Sequence, residues 1–80
     1  MNSENELRVR MEQLFVKLFP AESVAAGEMN RVNCATWDSL AQANLVLAIE
    51  EEFGIVISDD EAMNLESFSA AWRLVAKAAG

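Results

Sequence analysis

Apolar residues recur with helical spacing in three stretches of the chain, and a fourth, shorter segment carries helix-start chemistry. Leu7, Met11, Leu14, Phe15 and Leu18 share one stripe, leaving Arg8, Arg10, Glu12, Gln13 and Lys17 mostly toward water. Ser3-Glu4-Asn5-Glu6 has the form of a capping box in front of that stripe, and Pro20 disfavours helical geometry at Phe19. The second stretch runs from Trp37 to Phe53. Leu40, Ala43, Val46, Leu47 and Phe53 recur there at three- and four-residue spacings and are expected to face a core. Gly54 suits a left-handed end to that helix.

Ile55-Val56-Ile57 is too isolated to pair as a strand and reads as an extended connection dipping into the core. Ser58-Asp59-Asp60-Glu61 repeats the capping-box form and opens a short helix through about Asn64. Ser67 caps a final helix to about Ala78, with Phe68, Ala71, Trp72 and Val75 as its apolar stripe. The connection over residues 20–37 is the longest. Ala21 to Ala26 are expected to make a short helical turn ending at Gly27, and Met29 and Val32 to pin the loop to the core. These elements describe one all-α domain over residues 1–80, a small four-helix bundle with a long first loop and a short third helix.

Eighty residues bury only about 60–65% of their unfolded surface, so stability is expected to be modest. An apolar content of 52% and a charged content of 24% belong to a folded globular chain. Thirteen acidic against six basic residues give a net charge of −7, which repels nucleic acid and anionic membranes and favours basic protein surfaces. Solubility alone also accounts for a charge of that size. The chain has no histidine, so neither a Ser-His-Asp nor a Cys-His system can be assembled from it. One cysteine without histidine makes no structural zinc site, and the acids after Ser58 lack the alternation of a calcium loop. Enzymatic activity of the chain alone is not expected. Cys34 reads as a structural thiol in a reducing compartment. Without an apolar run of membrane length or a signal sequence, a soluble, cytoplasmic monomer is expected.

Asp38-Ser39 at the head of the second helix has two readings. As a capping pair, either side-chain oxygen accepts from free backbone N–H groups, and the Asp38 charge suits the positive end of the helix dipole. The second reading comes from the surrounding order. Trp37-Asp38-Ser39-Leu40, an apolar helix, Glu50-Glu51-Glu52-Phe53 and Gly54-Ile55-Val56-Ile57 together resemble the acyl carrier proteins. The resemblance runs from about Trp37 to Trp72, with Leu7 to Leu18 fitting more loosely as the first helix.

It implies that Ser39 is esterified with 4′-phosphopantetheine, that Asp38 presents a carboxylate to the modifying enzyme or its metal, and that Leu40 completes the motif. Leu47, Glu50, Glu51, Asp59, Asp60 and Met63 would then meet partner proteins. Those partners would be a phosphopantetheinyl transferase, an acyl-loading ligase or acyltransferase, and downstream biosynthetic enzymes. Thr36 stands where fatty-acid-synthesis carriers usually have glycine, and no charge lies between Asp38 and Glu50. Both departures point to a discrete carrier of acyl or aminoacyl groups in a specialised pathway. Cargo would either stay with the arm in solvent or fold back against Val46, Ile49, Ile57, Met63 and Leu65, which are equally plausible as plain core. The alternative function is an unmodified acidic helical module that binds a protein through Leu47 and its acidic face.

Overall fold

The computed structural model describes residues 4–79, so the capping box at Ser3 lies outside the described residues. Four α-helices follow one another: α1 over Glu4–Leu18, α2 over Ser39–Phe53, α3 over Asp59–Met63 and α4 over Phe68–Ala79. A single 3₁₀ turn, Ala26–Glu28, interrupts the long first loop. No strand forms among the described residues. Instead, one antiparallel bridge joins Asn30 to Ser67, with Phe68 N–H donating to Met29 O at 2.8 Å and Arg31 N–H to Glu66 O at 3.0 Å. The chain is a small all-α bundle, and none of its described helices is long and apolar enough to cross a membrane.

Aromatic rings fill the centre. Phe15 lies against Phe19, Trp37 and Phe68 at centroid distances of 6.0, 5.7 and 5.1 Å, and Phe19 stacks on Trp37 at 5.1 Å. Such pairs add about 0.5–1.5 kcal/mol each beyond their burial. They tie α1 and α4 to Trp37, two residues before α2. Met11, Leu45, Ile49, Ala71 and Val75 extend this core along the helices. Trp72, expected in the core stripe, is half-buried at its margin. Arg10, expected toward water, is also half-buried: its guanidinium pairs with the Glu52 carboxylate at 2.8 Å and lies 5.1 Å from the Phe53 ring.

The face of α2 differs from the expected stripe. Leu45 and Ile49 are buried, with Ala41, Val46 and Phe53 packed beside them. Leu40 and Leu47 are 70% and 57% exposed, and Ala43 is also exposed. The helix is apolar on most sides, so period alone does not select its inner face. Gln42 contributes to the choice by turning its amide inward onto α3 and Trp37.

Loop 1 also departs from expectation. Residues 21–25 form no helical turn, Glu22 reaching instead across the loop to Thr36, and the one turn lies later, at Ala26–Glu28. Met29 and Cys34 anchor the loop in the core, whereas Val32 is 97% exposed. The cause is local hydrogen bonding. Asn30 Oδ1 accepts from the N–H groups of Val32 and Asn33, and Asn33 Oδ1 accepts from Asn30 N–H, closing a turn with Val32 at its tip. Ile57 is buried as expected, while Val56 between the two isoleucines points to solvent.

Candidate functional site

The start of α2 is held from three directions. Asp38 is extended and caps the helix, its Oδ1 accepting from Ala41 N–H at 2.8 Å. This leaves the N–H groups of Ser39 and Leu40 without an intrahelical acceptor. One residue earlier, Trp37 is buried in the aromatic cluster and its Nε1–H donates to Gln42 Oε1 at 2.6 Å. Gln42 Nε2 in turn donates to the carbonyls of Ala62 and Leu65 at 2.8 and 2.9 Å, fastening α2 to the end of α3. Before Trp37, the Glu22 carboxylate accepts from both the N–H and the hydroxyl of Thr36. The Thr36 hydroxyl, then its N–H, hold Glu22 below the usual carboxylate range.

Ser39 is the first residue of α2 and is exposed, and its hydroxyl makes no hydrogen bond with any described residue. It opens onto a shallow surface depression of about 340 Å³ that it shares with Arg31, Gln42, Ala62 and Met63. Capping thus falls to Asp38 alone, and the serine oxygen is left over. Asp38 and Leu40 flank it, both exposed.

The other residues singled out in the sequence lie along α2 and α3. Leu47 and Met63 are exposed apolar side chains, and Glu51, Asp59 and Asp60 are exposed acids. Glu50 is different: it is half-buried and its Oε2 accepts from Ile57 N–H at 2.9 Å, so it braces the connection after α2. Ile49, Ile57 and Leu65 are core residues, Val46 packs against them, and Met63 is 75% exposed. Cys34 is buried, its Sγ 3.2 Å from Asn33 Oδ1, and burial pushes its thiol pKa up.

Sequence reasoning did not single out Arg31, Gln42 or Ala62. Arg31 carries a visible signal, since it is the only basic residue between Lys17 and Arg73. Among the described residues, no cluster of three or more His, Cys, Asp or Glu side chains is arranged to hold a metal. No protein-family model matches the chain.

Proposed function

We propose that the chain is a carrier protein, with 4′-phosphopantetheine attached through Ser39 and acyl or aminoacyl intermediates delivered to enzymes of a specialised biosynthetic pathway. The observation that carries this reading is the exposed, unpartnered Ser39 hydroxyl at the first position of a fifteen-residue helix whose cap is supplied by its neighbour. A structural capping pair would engage the serine or dispense with it. The fold supports the reading at a coarser level: four helices, a long first loop and a short third helix are what an acyl-carrier-type bundle requires.

The residues present fit the group. An accessible hydroxyl admits an incoming donor, and the free N–H groups of Ser39 and Leu40 at the helix start favour a nearby phosphate. Attachment would join Ser39 Oγ to the phosphorus of coenzyme A's phosphopantetheine, the hydroxyl proton passing to a base of the transferase or to water while the pyrophosphate bond breaks and adenosine bisphosphate leaves. When attached, the group supplies a thiol on which acyl chains are held as thioesters. The chain's own contribution is placement. Asp38 holds the helix start, Trp37 and Gln42 fix it against the core, and Leu47, Met63 and the acids Glu51, Asp59 and Asp60 offer a face to partners.

The reading is tested by incubating the purified chain with a broad-specificity phosphopantetheinyl transferase and a fluorescent coenzyme A derivative. Label on the wild type and none on Ser39→Ala is the expected result. Failure of several such transferases to label the wild type, with a protein partner still bound, would favour the unmodified interaction module instead.

A further inference from the structure

Arg31 and Ser39 border the same depression, yet they come from different elements and the arginine has no assigned task. Its backbone is fixed by the bridge to Ser67, through the Arg31 N–H to Glu66 O hydrogen bond. Its side chain is exposed and forms no ion pair with any described residue, Glu66 included. Arg8 and Arg10, by contrast, pair with Glu12 and Glu52. In a chain of net charge −7 an unpaired arginine next to an unpaired serine is a local reversal of sign. The depression continues onto Ala62 and the exposed Met63, an apolar wall on α3. A cationic residue and a hydrocarbon surface lining one depression match a phosphodiester followed by an aliphatic segment.

Building on the carrier reading above, we propose that Arg31 receives the phosphodiester on Ser39 and that the branched, geminal-dimethyl part of the arm lies over Ala62 and Met63. The arm therefore leaves Ser39 toward α3 instead of hanging free. Among the described residues Arg31 is the one basic residue lining this depression, and a guanidinium carries a fork of donors that matches phosphate oxygens. Arg31 and Met63 act here as positioning residues for the arm, and an arm laid over α3 presents its thiol from the side of the molecule where Asp59, Asp60 and Met63 meet partners.

The test uses apo and fully modified protein labelled with ¹³C at the methionine methyls, and modification is verified first by intact mass. In the modified wild type the Met63 methyl signal moves from its apo position and shows Overhauser contacts to the geminal methyls of the arm. The buried Met11 and Met29 signals stay in place and report an intact core. Arg31→Gln, at an exposed position, leaves the Met11 and Met29 signals unchanged and weakens the Met63 contacts about two- to fivefold, as loss of an exposed ion pair allows. A fully modified wild type whose Met63 signal coincides with the apo signal overturns the proposal and leaves the carrier reading intact, and so does an Arg31→Gln protein with undiminished contacts. A wild type that gains no mass overturns the carrier reading itself, and this inference with it.

Discussion

Trp37 Nε1–H donates to Gln42 Oε1 across the start of α2, and through this one contact the aromatic core, α2 and α3 are joined at the corner that bears Ser39. The glutamine uses both ends of its amide: the oxygen accepts from the indole while the nitrogen serves the carbonyls of Ala62 in α3 and of Leu65 just after it. No charged side chain does this work, which suits a half-buried site where an unpaired charge would be costly.

Gln42→Leu removes all three hydrogen bonds and leaves the indole N–H and the carbonyls of Ala62 and Leu65 to find other partners. A loss of about 1–3 kcal/mol is expected, the cost of stranding half-buried polar groups. Urea denaturation followed by tryptophan fluorescence measures it. An unchanged midpoint would show that the brace contributes nothing.

The rotation of α2 away from its expected face gives a contrast between neighbours. Leu45→Ala, at a fully buried site, is expected to destabilise by about 2–5 kcal/mol. Leu40→Ala and Leu47→Ala, at exposed sites, should stay within about 0.5 kcal/mol of the wild type. Thermal denaturation of the three variants decides between the two faces, and the opposite ranking would restore the stripe read from the sequence.

Gly54 ends α2 with φ of 64°, in the left-handed region, and a methyl group added there meets nothing within 4 Å. The cost of Gly54→Ala is therefore conformational and should be about 1–2 kcal/mol. Denaturant titration provides the value, and a stabilised variant would contradict the assigned backbone.

Glu22 and Glu61 link stability to pH. The Thr36 hydroxyl and N–H lower the first, and the Ser58 N–H and hydroxyl lower the second. Because the folded values lie below the unfolded ones, the stabilisation is complete above the unfolded pKa of about 4.3 and is lost as pH falls through the folded value. The urea midpoint of the wild type relative to Glu22→Gln should therefore shrink on acidification from about pH 6 to pH 3. A difference that is constant or grows toward acid would contradict the Glu22–Thr36 contact.

Much of this architecture was legible because it is local. The caps at Asp38, Ser58 and Ser67 and the left-handed Gly54 each depend on a few adjacent residues, and each occurs where the residue types place it. The inner face of α2 was not legible, since an uncharged run from Leu40 to Ile49 offers several apolar stripes and tertiary contacts choose among them. Val32 departs from expectation for a related reason: hydrophobicity says nothing of the asparagine turn that lifts it to a loop tip. The motif at Asp38-Ser39 could be read directly, but not the approach of Arg31, which requires the path of loop 1 as set by Met29, Cys34 and the bridge to Ser67.

The central claim is that Ser39 carries the arm, and intact-protein mass after reaction with coenzyme A and a phosphopantetheinyl transferase tests it most directly. A wild type heavier by one phosphopantetheinyl group, beside a Ser39→Ala protein of unchanged mass, is the predicted result. Equal gain by both proteins, or no gain by either, would contradict it.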